Sequence, residues 1–464
     1  YQTRRGDIKR VNGKGESMTF ETKGKENNGA TYGRRSDWQD LYSIAKKYYE
    51  ALLADPGNAQ FHLTDPRGAS DKSGRTFNNP YQYFFEQMHM DDAIYADESI
   101  YEYPMQQGGG NDGRPYSFGR PSSGGSKAAY PCKSYGQGRI NPAYFYGVFD
   151  PNDMRRDVSI TMTGSNGKGV EKLIPFVPNS KAEGGGLTLN KWDENRQANP
   201  WVAAQRKSGI NGPYMRMSEV YLGYAEVCAA LGDVVTGKQY LKTVRERSFP
   251  QGLANTDAFI ASFGNDLVRA IIEERGFEYA GEGDRRWTLI RSGYLPEDIK
   301  RIKDMTKAMM DGLATKGYYE FENGNIISAY IWTKLVDAKT IYGHRLTAQC
   351  PTDKVNDPVL YPGWRGQKDN WEEMGLNYGS STPATNLAIK GLFEIVSEEE
   401  AASLESQGYA KVNWGIDLVD NRDEYDKYLF WDYDYVSAPI YLWPFTPNVM
   451  AAGGFTNGYG FKQE

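Results

Sequence analysis

Apolar side chains recur every three or four residues in several parts of the chain, which is the spacing that the buried face of an amphipathic helix requires. The stretches with this spacing are residues 38–52, 80–88, 215–231, 266–291 and the segment that follows Leu295. The first of them stops at Asp55-Pro56-Gly57, where proline and glycine end helices. The pattern predicts a mainly helical protein.

Residues that commonly cap helices stand near the starts of two of these stretches and of one further predicted helix, whose apolar face carries Tyr240, Leu241 and Val244. Ser36 with Gln39, and Thr236 with Gln239, have the spacing of a capping box, in which a hydroxyl accepts the N–H of the third helical residue. Asn265 precedes the stretch 266–291 and is the predicted cap there.

Charged residues lie close to the apolar face of the stretch 266–291. Glu274, Arg275 and Glu278 would be costly to bury unless each faces a charge of opposite sign. We therefore expect ion pairs between this helix and its neighbours.

Two long segments, 56–212 and the chain after residue 317, have no helical period over most of their length. Within the first, residues 104–128 are rich in Gly, Ser and Pro and are expected to be exposed, while Asn166-Gly167 predicts a hairpin between two short strands. The second, after residue 317, is irregular and aromatic. The chain is thus divided into 1–55, which ends in a helix; 56–212, a loop-rich insertion; 213–310, a helical core; and 311–464, a second loop-rich region.

The composition favours loops that present aromatic rings to a ligand, and it argues against a nucleic-acid partner. The chain has 34 Tyr, 10 Trp and 51 Gly, and such rings on loops offer a large contact area at a small cost in rotamer entropy. The alternative for any single ring is packing in the core. The net charge of −6 argues against a nucleic-acid partner, because phosphate neutralisation needs clustered Lys and Arg.

The sequence shows no motif for catalysis or for metal binding. Residues 164–168 form a glycine-containing turn that lacks the rest of a phosphate-binding loop. His62, His89 and His344 are scattered and have no neighbouring metal ligands. Glycoside hydrolysis needs only two carboxylates, but the sequence places no pair in a cleft. We therefore predict no catalytic residue, no metal and no cofactor.

Cysteines and hydropathy add little to this picture. Cys228 lies on a helical face and is expected to pack as a small apolar residue, which leaves a Cys132–Cys350 bridge open. No stretch of about 18 apolar residues, the length of a membrane-spanning helix, is present.

An ordered set of charged, aromatic and small residues runs through 216–293. The set comprises Arg216, Glu219, Tyr221, Leu222, Ala225, Glu226, Gly232, Val244, Arg245, Arg247, Glu274, Arg275, Glu278, Glu282, Gly283, Arg285, Leu289, Arg291 and Gly293. It resembles the helical signature of the SusD/RagB family, which are surface lipoproteins of Bacteroidetes. Departures occur at Gly281, Arg286, Thr288 and Ser292. Near the end of the chain, Tyr441 to Asn448 also resembles the family's closing pattern.

The resemblance implies a mostly α fold, in which tetratricopeptide-like helix pairs form a right-handed scaffold with long irregular loop excursions and a few short strands. It implies an earlier amino-terminal part that holds the lipid-anchor cysteine, so that 1–55 is the end of an amino-terminal helical part, and it implies that the insertion 56–212 carries the ligand-binding face. The turn at 150–160 resembles the family's Asp-x-Arg turn, in which Arg155 or Arg156 is expected to hold the surrounding carboxylates together. It further implies a non-catalytic protein on the extracellular face of the outer membrane. Such a protein captures oligosaccharide or oligopeptide and delivers it to a SusC-like TonB-dependent transporter.

Aromatic residues that precede the predicted helix 215–231, or that lie in the second loop-rich region, are the candidate ligand contacts. We expect Trp192 and Trp201 to stack on the ligand, with Lys191 and Asn195 as polar neighbours. Trp364, Trp371 and Tyr378 form a second candidate cluster. Two other functions stay open at this point: a secreted glycan-active enzyme and a helical-repeat scaffold that binds only other proteins.

Overall fold

The computed structural model describes most, but not all, of the chain. The described residues are 37–56, 80–88, 98–110, 113–123, 132–166, 170–178, 184–194, 197, 201, 203–337, 385–429 and 445–454, with short strand segments at 10–11, 17–18, 24–25, 31–32, 69–70 and 76–77.

Helices form the larger elements of the described structure. They are α1 (Trp38–Ala54), α2 (Pro80–Gln87), α3 (Gly113–Phe118), α4 (Arg155–Ser159), α5 (Met217–Ala230), α6 (Val234–Arg247), α7 (Thr256–Ala261), α8 (Leu267–Glu278), α9 (Asp284–Ser292), α10 (Leu295–Lys316), α11 (Glu398–Ser406), α12 (Gly415–Asp420), α13 (Arg422–Leu429) and α14 (Pro447–Gly453). A π-helical turn spans Tyr144–Val148. The mostly α fold class is confirmed.

Strands are short and lie in small sheets. They are β1 (Arg10–Val11), β2 (Ser17–Met18), β3 (Gly24–Lys25), β4 (Thr31–Tyr32), β5 (Ala69–Ser70), β6 (Thr76–Phe77), β7 (Ser99–Tyr103), β8 (Ser122–Ser123), β9 (Lys133–Ser134), β10 (Ile160–Thr161), β11 (Thr163–Ser165), β12 (Glu171–Leu173), β13 (Thr188–Leu189), β14 (Gly212–Arg216), β15 (Tyr318–Glu320), β16 (Ile326–Ser328), β17 (Tyr330–Asp337), β18 (Thr385–Lys390) and β19 (Ala410–Asn413). The larger described sheets have the orders β12-β11-β8-β9 and β18-β17-β19. The antiparallel pairing of β11 with β12 confirms the predicted hairpin strands.

Helices α5 and α6 form a helix–turn–helix pair that packs on α1 and α8. The turn between them is tight, since Gly232 has a φ of 93°. Asp233 therefore caps α6, and its side chain accepts the N–H of Thr236. The predicted Thr236–Gln239 capping box is wrong because Thr236 already lies inside the helix. Apolar residues of α5, α6 and α8, among them Leu222, Leu241 and Ile271, share one core.

Three other predicted helix boundaries differ from the structure. Met215 and Arg216 belong to β14, so α5 begins only at Met217. Asp266 caps α8, because Asn265 has a φ of 62° and only the next residue has the extended conformation of a cap. Asp37 stands at the N-cap of α1 without a side-chain cap bond, and Ser36 lies outside the described residues. The stretch 266–291 is two helices, separated at Gly281 and Gly283, which both have positive φ.

A second, aromatic core joins the loop-rich regions to the helices. It contains Phe145, Tyr146 and Phe149, which pack with residues of α8, α10 and α12. The indole N–H of Trp414 donates to the hydroxyl of Tyr146 at 2.8 Å. Part of the segment 104–128 is also buried, with Tyr116 only 2% exposed. Its predicted exposure is therefore wrong for this part, because α3 packs against β9.

Candidate ligand-binding site

The candidate site is the two-stranded antiparallel sheet of β7 and β14, and β14 directly precedes α5. In β7, the side chains of Tyr101 and Tyr103 alternate with Glu102, so the tyrosines face outward and the carboxylate faces inward. Gly212 lies opposite Tyr103, and Met215 lies opposite Tyr101. The register shifts twice along the pair. Between the pairs Met215–Tyr101 and Arg216–Ser99, β7 has one residue more than β14. Between the pairs Pro213–Glu102 and Met215–Tyr101, β14 has one residue more than β7.

This irregularity is a β-bulge, and it places an additional ring on the outer face. Both Tyr214 and Met215 are exposed, although consecutive residues of a regular strand would point to opposite faces. Arg216 then returns to the buried side. Bulges commonly re-aim a side chain in this way. The sheet thus presents three tyrosines outward and keeps its charged residues inward.

The three tyrosine rings contact one another and remain open to solvent. Tyr101, Tyr103 and Tyr214 are 53%, 46% and 61% exposed. The ring of Tyr214 stands almost perpendicular to the other two, with centroid distances of 5.7 Å to Tyr101 and 5.3 Å to Tyr103. The Tyr101 and Tyr103 centroids are 6.2 Å apart. We call these three residues the tyrosine corner; the name stands for this cluster only and not for the hydrogen-bonded tyrosine motif of β-sandwich folds.

A cation lies beside the tyrosine corner. The guanidinium carbon of Arg114, in α3, is 5.5 Å from the ring centroid of Tyr103 and 5.8 Å from that of Trp192. Both contacts have cation–π geometry. Arg114 therefore connects the exposed rings to the buried aromatic cluster of α2, where Trp192 packs with Phe85.

The buried side of the strand pair is held by charged and polar contacts. The Asn211 amide donates to Glu102 Oε2 at 3.0 Å. At the other end of the pair, Arg216 donates to Glu98 Oε1 at 3.1 Å, and Arg247 from α6 also pairs with Glu98. The two carboxylates are 2% or less exposed, so both are withdrawn from the outer face.

An ionic network continues from Arg216 into the helices. Glu278 accepts from Arg216 at 2.5 Å and from Arg155 at 3.0 Å, and it also pairs with Arg247. Burial alone would raise the pKa of Glu278, but the three guanidinium groups outweigh it and hold the pKa well below its usual value. The network confirms the predicted ion pairs around this helix.

Arg155 performs the expected role in the turn at 150–160. Its guanidinium donates to Asp153 Oδ2 at 2.6 Å and to Glu274 Oε1 at 2.7 Å. Because Arg155 is fully buried, these bonds supply the charge compensation that a buried guanidinium requires.

The predicted residues Lys191 and Trp192 are buried rather than presented to solvent. The Lys191 ammonium lies 2.6 Å from Glu282 Oε1 and 4.8 Å from the Phe85 ring centroid. Burial lowers the pKa of Lys191 to about 8, although Glu282 opposes that shift. Trp192 is 2% exposed. The geometry gives no support for ligand contact by either side chain.

Trp201 has a different environment from Trp192. Its ring is half-buried and lies against Gly108, on the loop that follows β7. That loop is fastened to the neighbouring segment, since the Gly108 N–H donates to the Lys207 carbonyl at 2.9 Å. Asn195, Trp364, Trp371 and Tyr378 lie outside the described residues, as does Cys350, the second half of the Cys132–Cys350 pair.

The tyrosine corner was not predicted from the sequence, although one signal for it was present. Tyr101 and Tyr103 have the period-two spacing of a strand with one polar and one buried face. Tyr214 immediately precedes the best predicted helix. Only the pairing of β7 with β14 brings these three side chains together.

A separate cleft of about 670 Å³ lies between α6 and the start of α7. The residues that line it are mostly charged or polar, among them Lys238, Lys242 and Asp257, and no aromatic ring lines it. The Lys238 ammonium pairs with Asp257 there. The cleft therefore lacks the flat apolar surface on which a sugar ring stacks.

Two further features are absent from the described part of the chain. Within it, no group of three or more His, Cys, Asp or Glu side chains is arranged to hold a metal ion. No helix among the described residues has the length and apolar composition needed to cross a membrane.

Comparison with known proteins gives a consistent family. The model of the SusD family matches residues 59–362. The SusD-like protein P25 of Formosa agariphila is 28% identical over 160 residues, which cover 34% of this chain and 26% of that protein.

Several solved structures are similar to this chain over somewhat more than half of its length. A SusD homolog from Bacteroides thetaiotaomicron has 18% identity and a TM-score of 0.39, over 57% of this chain and 51% of that chain. Surface glycan-binding protein A from the same organism, in complex with laminarihexaose, has 20% identity and a TM-score of 0.37, over 56% and 52%. The chain thus spans about half the length of these solved relatives and about a quarter of the curated one.

Proposed function

Because this chain belongs to the SusD family, we propose that it is a non-catalytic binding protein that captures oligosaccharides through the tyrosine corner. The observation that carries the proposal is the exposure of three adjoining tyrosine rings on one sheet face. Exposed clusters of large side chains with apolar surface commonly mark binding sites for ligands or partners.

The chemistry of sugars fits this surface. A pyranose ring has an apolar C–H face and a rim of hydroxyl groups, so it stacks on aromatic rings and hydrogen-bonds at its edges. Each stack contributes on the order of 1 kcal/mol, and several neighbouring rings add their contributions over consecutive sugar units. The phenolic hydroxyls of Tyr101, Tyr103 and Tyr214 supply polar groups at the same surface.

An oligopeptide is the second ligand class, and the geometry favours it less. Peptides are held by backbone hydrogen bonds to a sheet edge together with pockets for side chains. The tyrosine corner offers open ring faces, and the residues that line the cleft between α6 and α7 are mostly charged or polar. One surface glycan-binding relative carries laminarihexaose, and we extend that ligand class to this chain.

The remaining parts of the proposal follow from family membership. We place the protein on the extracellular face of the outer membrane, held by a lipid anchor, with a SusC-like TonB-dependent transporter as its partner. Bound oligosaccharide would pass to that transporter. Trp201, next to the loop that follows β7, is retained as a further contact, and Asn195, Trp364, Trp371 and Tyr378 stay predictions.

A binding screen with product analysis tests the function. The purified protein is titrated in a calorimeter with soluble starch, laminarin, xylan and a mixed oligopeptide digest, and each sample is then examined for new reducing ends or amino termini. Saturable heat with one polysaccharide, which is recovered intact, is the expected result. Release of reducing ends would support a glycan-active enzyme instead. Absence of binding to every polysaccharide would refute oligosaccharide capture by the isolated protein.

The site within the protein is tested separately with matched tyrosine variants. Replacement of Tyr101 and Tyr103 by alanine should abolish detectable binding. The control is Tyr48→Ala, because Tyr48 is 73% exposed on α1 and belongs to no part of the tyrosine corner. Equal loss of binding in both variants would contradict the assigned site.

A further inference from the structure

The bulged strand pair that carries the tyrosine corner is held from its buried side at two points. One point is Arg216, which belongs to the ionic network beneath the sheet. The other is Asn211, which lies next to β14 and is 7% exposed. We infer that Asn211 is a positioning residue for ligand binding, because it holds the two strands in the bulged register that brings the three rings together.

Both amide atoms of Asn211 make hydrogen bonds to residues in β7 or just after it. Its Nδ2 donates to Glu102 Oε2 at 3.0 Å, and its Oδ1 accepts the N–H of Met105 at 2.8 Å. Glu102 lies between Tyr101 and Tyr103 in the sequence, and Met105 is the second residue of the loop that follows them. A single side chain therefore ties β14 to β7 on both sides of Tyr103.

The location of these bonds explains why they matter for the rings. The bulge lies between the pairs Gly212–Tyr103 and Met215–Tyr101. A strand with weak register can slip by one residue, and a one-residue slip sends every side chain to the opposite face. Here such a slip would turn Tyr214 away from its neighbours. Asn211 and Arg216 bracket the bulge and oppose that slip.

Holding the rings in place before a ligand arrives increases affinity. Ordering a side chain on binding costs free energy, and a protein with a preformed site does not incur that cost. Loss of the Asn211 bonds should release at least two of the three rings. The affinity for glycan is then expected to fall about tenfold, since about 1.4 kcal/mol corresponds to one order of magnitude.

The test compares three variants of the full chain. Asn211→Ala removes both bonds. Glu102→Gln is the conservative variant, because a glutamine carbonyl oxygen still accepts from the Asn211 amide. Val227→Ala is the control for a general loss of stability, since Val227 is buried between α5 and α1. The probe is whichever of soluble starch, laminarin and xylan binds the unaltered protein most tightly.

Two measurements are made on each variant. Calorimetry should show affinity about tenfold lower in Asn211→Ala and close to that of the unaltered protein in Glu102→Gln and Val227→Ala. Hydrogen exchange read by mass spectrometry should show faster exchange of peptides covering 98–106 in Asn211→Ala, while peptides covering α8 exchange at the unaltered rate. Unchanged exchange at 98–106 would overturn the inference, and so would equal loss of affinity in Val227→Ala.

The inference rests on the proposed function, but the two fail differently. If the unaltered protein binds none of the three polysaccharides, oligosaccharide capture is refuted, and the exchange data still decide whether Asn211 holds the strands. If the unaltered protein binds glycan and Asn211→Ala binds it equally well, the positioning role is refuted, and oligosaccharide capture stands.

Discussion

Glu278 is the carboxylate on which the buried ionic network depends, so its replacement by glutamine should strongly destabilise the fold. Its two oxygens face the guanidinium groups of Arg216, Arg247 and Arg155. Glu278→Gln preserves the shape of the side chain and removes its negative charge. The amide NH2 of glutamine then points a donor at groups that are themselves donors.

The magnitude follows from the burial of these groups. Glu278 and Arg155 are fully buried, and Arg216 and Arg247 are 1% and 4% exposed. Removing one partner from a buried ion pair costs about 3–5 kcal/mol, because the remaining charges stay out of water without compensation. At about 2.1 cal/mol/K of unfolding entropy per residue, the 464 residues give a melting temperature lower by roughly 4 °C.

Thermal and chemical unfolding at several pH values measure this effect. The folded-state pKa of Glu278 lies below the ordinary value of 4.5. The charge therefore stabilises the protein at pH values above 4.5, and that stabilisation is lost as the pH falls toward the folded-state pKa. The difference between the unaltered protein and Glu278→Gln should be full at pH 7 and should shrink below pH 4.5.

The matched control is Glu246→Gln on α6. Glu246 is half-exposed and pairs with Lys242 one turn earlier, and such surface pairs contribute little. Its melting temperature should equal that of the unaltered protein within error. Equal stability of Glu278→Gln and the unaltered protein at pH 7 would refute the structural role assigned to the network.

Three further outcomes are expected. Trp192→Ala should lower the free energy of unfolding by about 3–5 kcal/mol, because it empties a buried aromatic site; denaturant titration that shows a change below 1 kcal/mol would contradict its burial. Lys191→Met should remove a pH dependence of stability, because the folded-state pKa of Lys191 is about 8 and its ordinary value is 10.5. The unaltered protein should therefore gain stability relative to this variant as the pH rises from 8 to 10.5. Parallel curves of unfolding free energy against pH for the two proteins would contradict the lowered pKa. Asp233→Ala should lower the melting temperature, because it removes the side-chain cap of α6. Asp233→Asn should keep most of the stabilisation from the cap, because an asparagine side chain also accepts the Thr236 N–H. Equal melting temperatures in the unaltered protein and both variants would contradict the cap.

Helix positions could be predicted from the sequence because their apolar period is local. The period identified α1, α2, α5, α6 and α10 to within a few residues. Caps were less predictable, since Ser, Thr, Asn and Asp are all good caps and the choice among neighbours depends on the turn before the helix. The left-handed conformations of Gly232 and Asn265 determined that choice at α6 and α8.

The site could not be predicted because exposure depends on contacts between distant parts of the chain. Lys191 and Trp192 have the residue types of a sugar-binding surface, yet α2 covers them. The tyrosine corner exists only because β7 pairs with β14 through a bulge. A sequence pattern shows which residue types are present, whereas the pairing of the two strands determines which of them face solvent.

The most direct measurement is the calorimetric affinity of Tyr214→Ala, compared with the unaltered protein and Tyr48→Ala, for the polysaccharide that binds best. Tyr214 is the ring that the bulge adds to the sheet face. Loss of one stack of about 1 kcal/mol should weaken binding roughly fivefold in Tyr214→Ala, and the affinity of Tyr48→Ala should equal that of the unaltered protein. Unchanged affinity in Tyr214→Ala would contradict ligand capture at the tyrosine corner.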